Sequence, residues 1–294
     1  MKKRQIIIIP ILSLLMSLTS CINDDESGRV QYNIGLRLVT KTGELLPESV
    51  VRTVHTYMFI SGHYFQEIIP ESNGRYYISF DNSKPMRLVA VGADVQDGVS
   101  LVTPSVGDGF EKICANLNHS LQSRSSSSSV TETTPMHYLC YGSFNYNPDD
   151  PIKQSSTATL TMMNKNVRIH IVIKNLLTQL GEGVYTVKLR GFRDALAFDG
   201  SIKGDCVEYD PHGSFDSEGT YSTDVINAMP TADGEHVTFC LYKDGKLILI
   251  KDSDSDGNPI SLLPEDDKAI VVNISKMNLN IIPWSDVNGS TVFN

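Results

Sequence analysis

The sequence has little of what a nucleic-acid binder or an all-helical protein needs. Lys and Arg number 25 against 34 Asp and Glu, and the formal net charge is −9. A general nucleic-acid binder usually presents a basic face, so this charge balance argues against one. No long stretch is rich in Ala, Glu, Lys and Leu, so an all-helical fold is not expected. There is one Trp, but 12 Tyr and 10 Phe supply enough aromatic surface for a core.

Recognisable catalytic motifs are also missing. No two of the seven His stand four residues apart, as a zinc-binding helix would require. The chain has no Gly-x-Ser-x-Gly, no Walker-type loop and no Gly-x-Gly-x-x-Gly. His170 falls on a predicted strand and is interpreted as a hydrogen-bonded structural residue. We therefore expect no enzyme, no cofactor and no metal site, although carboxylates brought together only by the fold remain open.

The first 21 residues have the pattern of a secretory signal. A positive segment, Lys2, Lys3 and Arg4, precedes an apolar run over residues 6–18, which is too short for a lasting transmembrane helix. The run ends in Leu-Thr-Ser-Cys at residues 18–21, which resembles the lipobox of bacterial lipoproteins. That resemblance implies removal of residues 1–20, attachment of diacylglycerol to the Cys21 thiol and acylation of its freed amine.

An acidic segment follows the cysteine. Asp24, Asp25 and Glu26 resemble the export tag that directs some Bacteroidales-type lipoproteins to the outer face of the outer membrane. Residues 21–29 are accordingly predicted to form an acidic, solvated tether. The expected location is the cell outer membrane, lipid-anchored and exposed at the surface.

Hydrophobic residues alternate with a period of two along most of the remaining chain. Residues 30–39, 54–60, 75–80 and 86–91 each read as a half-buried strand, and turn residues separate them. A second set of predicted strands begins with a long alternating segment over residues 157–173 and ends at Trp284. We expect Trp284 to lie in the core. We predict an all-β fold with two tandem β-sandwich domains, residues 30–155 and 156–294.

Residues 120–135 differ from the strands around them because they are rich in Ser. Such a stretch cannot bury apolar area and is predicted to be a loop of the first domain. Arg124 within it would be accessible to a trypsin-like protease, although an incidental exposed Arg is the simpler interpretation.

Four cysteines remain after Cys21, namely Cys114, Cys140, Cys206 and Cys240. Four cysteines allow three connectivities. Only the pairs 114–140 and 206–240 would stay inside the predicted domains, and four buried free thiols are an equal alternative. The sequence leaves the disulfide state open.

The strongest local motif is acidic. Asp252, Asp254 and Asp256 precede Gly257, which is the spacing by which a calcium loop gathers oxygen ligands. An EF-hand would need Glu at the twelfth position, where Leu263 stands. Calcium is a hypothesis here, and a polar turn after a strand is the favoured interpretation.

Several segments together resemble one family. They are residues 54–65, 87–92, 136–142, 158–169, 197–200 and 281–284. With the lipobox and acidic tether, they resemble the fimbrial anchor subunits of Bacteroidales-type pili (FimB-like, fimbrillin-associated). The resemblance implies transthyretin-like sandwiches and a non-enzymatic role in which the lipid on Cys21 holds the base of a pilus and the body docks a shaft or accessory subunit.

Edge strands give such a protein a means of docking. An open edge can accept a strand from a partner, whereas the tail beyond Trp284 offers only residues 290–293 as a short donor. Two alternatives remain. A glycan-binding surface lipoprotein would present Tyr76, Tyr77 and Trp284 on one open face, and a pilus accessory or tip adhesin would share the fold but not the basal position.

Overall fold

A computed structural model describes residues 28–46, 53–93, 98–118, 131–132, 138–149 and 155–287. Strands make up 58% of the structure and helices 4%, which confirms the all-β prediction. The strands are numbered here in chain order. The one α-helix of the described ranges, α1 (Leu176–Leu180), is a short turn between strands. Within the described ranges as a whole, no helix has both the length and the apolar character needed to cross a membrane.

The first sheet has seven strands, all from the N-terminal part of the chain. From edge to edge they are β3 (His63–Glu67), β2 (Thr53–Ile60), β5 (Met86–Ala93), β9 (Leu139–Tyr146), β10 (Ser155–Asn164), β1 (Arg29–Val39) and β4 (Arg75–Asp81). Alternation explains these elements, since β4 buries Tyr76, Ile78 and Phe80 while its intervening side chains point away from the core.

Two further sheets are built mainly from the C-terminal part. One contains β14 (Gly213–Phe215), β15 (Tyr221–Thr223), β11 (Val167–Lys174), β19 (Asp267–Asn273) and β20 (Asn278–Pro283), with β16 (Ile226–Ala228) also paired to β11. The other contains β18 (Lys246–Lys251), β17 (Thr238–Lys243), β12 (Tyr185–Ala197), β13 (Ile202–Tyr209) and β8 (Thr131–Glu132). A single apolar cluster, which includes Ile171, Val187, Phe239 and Ile270, joins these two sheets in a sandwich-like arrangement.

Strands from the N-terminal part also extend the sheet that contains β12, the third sheet of the structure. β7 (Ile113–Leu117) pairs antiparallel with the end of β12, where Leu196 lies opposite Ala115, and β6 (Val99–Leu101) pairs with β7. A second apolar cluster lies at this junction and includes Tyr57 and Phe59 of β2 together with Phe198. The first and third sheets are therefore connected by both hydrogen bonds and buried side chains.

The strand pairing changes at Lys165 and Asn166, within the single strand signal predicted over residues 157–173. The alternation over residues 157–173 continues across a break at Lys165 and Asn166, so β10 joins β1 and β9 of the first sheet while β11 joins β19. At the break, the Lys165 N–H donates to the Leu139 carbonyl at 2.7 Å, and the Leu139 N–H donates to Asn166 Oδ1 at 3.1 Å. Periodicity predicts strands but not their partners, so the two-domain division and its transthyretin-like topology stay predictions.

Candidate docking surface

Several residues with a role predicted from the sequence lie outside the described ranges. They are Cys21, the acidic residues 24–26, Arg124 and residues 290–293. Their predicted roles in lipid attachment, export, cleavage and strand donation therefore stay predictions. The described residues bear on the remaining question, which is where a partner could dock.

Edge strands are the natural docking elements because one side of each is not paired within its sheet. Several of these edges are nevertheless covered by loops. At β3, the Tyr64 N–H donates to the Asp108 carbonyl at 2.7 Å. At β20, the Ser255 N–H donates to the Leu279 carbonyl at 2.8 Å, and the Leu279 N–H donates to Ser255 Oγ at 2.9 Å. β14 is only three residues long, which leaves β4 and β18 as the longer edges for a partner.

β4 presents a polar edge whose charged ends are engaged. The Arg75 guanidinium donates to the Asn33 carbonyl at 3.2 Å, and Asp81 accepts hydrogen bonds from Ser83 and pairs with Lys84 at 3.5 Å. Tyr77 is the one large apolar side chain that β4 exposes. This composition is typical of a solvated edge.

β18 has the opposite character, since its sequence is Lys-Leu-Ile-Leu-Ile-Lys. Leu249 is buried opposite Leu241, but Leu247, Ile248 and Ile250 are 45%, 37% and 55% exposed. A bulge lies between β17 and β18 at Ile248. Val184, on the loop that hydrogen-bonds to the β17–β18 turn, is also exposed. Aliphatic side chains in water along an edge strand mark an interaction surface or an aggregation hazard.

A charged network covers the sheet beside this apolar edge. The Lys188 ammonium donates to Glu208 Oε1 at 2.7 Å, and Arg190 Nε donates to Glu208 Oε2 at 2.9 Å. Arg190 also donates to the Tyr242 hydroxyl at 3.1 Å. Burial raises the pKa of Glu208, but the hydrogen bonds from Lys188 and Arg190 outweigh this effect and bring its pKa below the ordinary value. These side chains connect β12, β13 and β17, the strands that follow β18 in the sheet.

We expect Glu208→Gln to lower the free energy of unfolding at pH 7 by about 2 kcal/mol, because two cations would lose their shared anion. A depressed folded-state pKa stabilises the fold above the unfolded-state pKa, near 4.5, and that stabilisation is lost as the pH falls further. The free energy of unfolding should therefore decrease less between pH 7 and pH 3 in the variant than in the wild type. Urea unfolding from pH 7 down to pH 3 measures both effects, with Glu218→Gln, an exposed carboxyl, as the control. Identical pH profiles for Glu208→Gln and wild type would contradict this assignment.

The acidic motif after β18 forms a turn. Asp254 Oδ1 accepts hydrogen bonds from the N–H groups of Asp256 and Asn258 at 2.9 and 2.8 Å. The Asn258 side chain also donates to Asp254, from Nδ2 to Oδ2 at 3.0 Å, and this bond together with the backbone ones holds the pKa of Asp254 below its ordinary value. Within the described ranges, no three His, Cys, Asp or Glu side chains lie close enough together to hold a metal ion. The Asp254 carboxylate forms a turn through these hydrogen bonds, and calcium binding at Asp252, Asp254 and Asp256 stays a hypothesis.

The aromatic residues considered for glycan binding do not share a face. Tyr76 is buried while its neighbour Tyr77 is exposed on the other side of β4. Trp284 lies against the sheet that contains β11, where its ring stacks on His170 with centroids 3.8 Å apart. The expectation that Trp284 is in the core is wrong, because it is more than a third exposed and covers the outer face of β11.

His170 is hydrogen-bonded, as the sequence interpretation expected. Its Nε2 lies 2.9 Å from Asp267 Oδ1, and Arg168 pairs with the other oxygen of Asp267 at 3.1 Å. Desolvation by burial lowers the pKa of His170, although Asp267 opposes that shift. The His170 side chain is thus packed against the indole ring of Trp284 on the outer face of β11.

All four cysteines of the body are free thiols. Cys114, Cys140 and Cys240 are buried, and Cys206 is exposed. Burial raises the pKa of Cys140 to about 12 and also raises the pKa of Cys114 and Cys240. Neither within-domain pair forms. Cys114 lies on β7 of the third sheet and Cys140 on β9 of the first, while β12 separates the strands that carry Cys206 and Cys240. The buried thiols of Cys114, Cys140 and Cys240 pack as small apolar groups.

Several solved structures share this fold. The fimbrial anchor protein Mfa2 from Porphyromonas gingivalis aligns with a TM-score of 0.59 at 14% identity, covering 87% of this chain and 98% of that one. A proposed polysaccharide-binding protein from Bacteroides thetaiotaomicron gives 0.59 at 15% identity, with 87% and 96% covered. A proposed adhesin from Bacteroides ovatus gives 0.58 at 11%, with 87% and 94% covered. At these identities the likeness shows the fold alone.

Sequence comparison supplies the family. Residues 32–289 match the family described as fimbrillin-A associated anchor proteins Mfa1 and Mfa2. The chain therefore belongs to this family of fimbrial anchor proteins, which confirms the resemblance found from the residues. A search of curated proteins gave no match.

Proposed function

We propose that this protein is a non-enzymatic outer-membrane lipoprotein that anchors a fimbria at the cell surface and docks a fimbrial subunit by pairing with an edge strand. The observation that carries the proposal is the family match over residues 32–289. An open apolar edge at β18 supports the docking step, since backbone hydrogen bonds and alternate side chains together give directional assembly.

The proposed attachment is through lipid on Cys21. Each buried CH₂ contributes about 0.8 kcal/mol, so a diacylglycerol together with an amide-linked acyl chain makes release from the bilayer negligible. The acidic residues Asp24, Asp25 and Glu26 supply the proposed signal for display on the outer face. Anchoring of this kind requires a tether and a docking surface and no reaction chemistry.

The glycan-binding alternative has less support. A relative of proposed polysaccharide-binding function shares the fold, but Tyr76, Tyr77 and Trp284 do not form a common platform in this chain. A carbohydrate site usually needs aromatic faces that converge with polar groups. A protein at an accessory or tip position in the fimbria would use the same docking edge. It would differ from a basal anchor only in where its lipid-bearing end is held.

The lipid step is tested by Cys21→Ala in cells that make fimbriae. We expect the variant to leave the outer-membrane fraction and fimbriae to be shed into the medium, because the body would keep its docking edge but lose its anchor. Immunoblotting of membrane and medium fractions measures this, with Cys206→Ala, an exposed thiol of the body, as the matched control. Retention of the Cys21→Ala protein in the outer-membrane fraction would contradict the proposed attachment.

A further inference from the structure

The β18 edge carries two cations that the fold does not use. Lys246 and Lys251 bracket its apolar residues, and neither ammonium group forms an ion pair with any described residue. By contrast, Lys188 in the same sheet pairs with Glu208 and Asp210. Asp244 in the preceding turn accepts a hydrogen bond from the Val184 N–H at 2.9 Å.

Within the described ranges, no loop backbone forms a hydrogen bond with the backbone of β18. No described strand other than β17 pairs with β18, and the loop that follows it turns away to cap β20 through Ser255. Leu247 and Ile250 lie on the face opposite to buried Leu249. An added strand would therefore find backbone groups, an apolar strip on one face of the sheet and, on the opposite face, a cation at either end of β18.

A second copy of this chain does not suit the edge. Antiparallel pairing of two β18 strands along their full length would set Lys246 of one copy against Lys251 of the other at both ends. Like charges directly opposite each other destabilise a strand pair, and lysines at edges are a common device against self-association. The occupant must be a strand whose ends carry the opposite charge.

We propose that β18 accepts an extended strand of a fimbrial subunit, with apolar residues at alternate positions and Asp or Glu at both ends. This inference rests on the proposed anchoring function and specifies its docking edge. Because both ends of β18 carry a cation, acidic ends in the partner satisfy Lys246 and Lys251 in either strand direction. The apolar residues of the partner cover Leu247 and Ile250.

A binding assay tests the charge selection. The full-length protein in detergent is titrated against a fluorescein-labelled peptide of alternating Val and Thr flanked by Glu, and against the same peptide flanked by Lys. We expect the Glu-flanked peptide to bind at least threefold more tightly at low salt, since opposite-charge cross-strand pairs each contribute modestly. Lys246→Glu/Lys251→Glu should reverse that preference. Equal binding of the two peptides, or binding of neither, would overturn the proposal.

A matched pair of variants tests the edge in cells. Ile250→Glu and Tyr77→Glu place the same charge on an exposed residue of β18 and of β4, so neither should affect folding. We expect Ile250→Glu to lower the amount of fimbrial subunit that copurifies by about tenfold and Tyr77→Glu to leave it unchanged, because a carboxylate among aliphatic side chains is costly to bury. Undiminished copurification with Ile250→Glu would overturn the β18 assignment but leave anchoring intact. If the wild type itself captures no fimbrial subunit, the anchoring function fails.

Discussion

Replacing Phe198 by Ala is expected to lower the free energy of unfolding by about 3–5 kcal/mol, the usual cost of removing a buried aromatic ring. Phe198 follows β12 and is fully buried. Its ring packs edge-to-face on Tyr57, with centroids 5.3 Å apart, and against Phe59 at 5.2 Å. Its carbonyl accepts a hydrogen bond from the Tyr141 hydroxyl at 2.9 Å. Phe198 thus joins the end of the third sheet to β2 through its ring and to β9 through its main-chain carbonyl.

Urea unfolding followed by circular dichroism measures this effect. Phe65→Ala is the control, because Phe65 lies on β3 of the first sheet but is 52% exposed, and a surface change there should alter stability by less than about 0.5 kcal/mol. A loss below about 1 kcal/mol for Phe198→Ala would mean that the junction contributes little to stability. A second unfolding transition in the variant would show that the two parts of the chain separate once the ring is gone.

Gly191→Ala is expected to lower the free energy of unfolding by about 3 kcal/mol, since it combines backbone strain with a steric clash. Gly191 has a φ of +96°, and a Cβ at this position would lie 2.3 Å from the His236 carbonyl oxygen. The clash is with main chain, which cannot move aside as a flexible side chain would. Thermal or urea unfolding of the variant measures the loss.

The position matters because β12 changes partners there. Up to Arg190 it pairs with β17, and from Ala195 it pairs with β7, while the register with β13 shifts at Gly191. A bulge bends a strand in this way. Gly245→Ala is the matched control because it has a similar φ of +75° but open space around it, so about 1 kcal/mol is expected. Equal losses for the two variants would show that strain alone, without the clash, sets the cost.

Alternation along the chain predicted the strands well because burial of one face of a sheet is a local property of sequence. Residues 30–39, 54–60, 75–80 and 86–91 correspond to β1, β2, β4 and β5. The turn at Asp254 was also accessible from sequence, since Asp, Asn and Gly at fixed spacing favour such turns.

Strand partners were not accessible in the same way. The signal over residues 157–173 gave no sign that Asn166 divides it between two sheets, because pairing depends on contacts far apart in the chain. The joining of β7 to β12 is likewise a matter of topology. For the same reason the sequence could predict a strand before the acidic motif but not that this strand would be an edge with Leu247 and Ile250 exposed.

Trp284 shows the limit of arguing from hydrophobicity alone. An indole at the end of an apolar strand was expected inside, but the chain turns back after β20 and lays the ring on His170. Large aromatic rings are often only partly buried, and stacking on a histidine satisfies one face while the other meets solvent. Nothing in the local pattern specifies which strand the turn will cover.

The most direct test of the account is the identity of what this protein holds in the cell. The measurement is in-cell crosslinking of a tagged full-length chain, followed by detergent extraction and mass spectrometry of the adducts. Anchoring predicts fimbrial subunits as the reproducible partners, lost from the membrane fraction when Cys21→Ala is made. Recovery of a glycan-uptake protein instead, or of no reproducible partner from fimbriated cells, would contradict it.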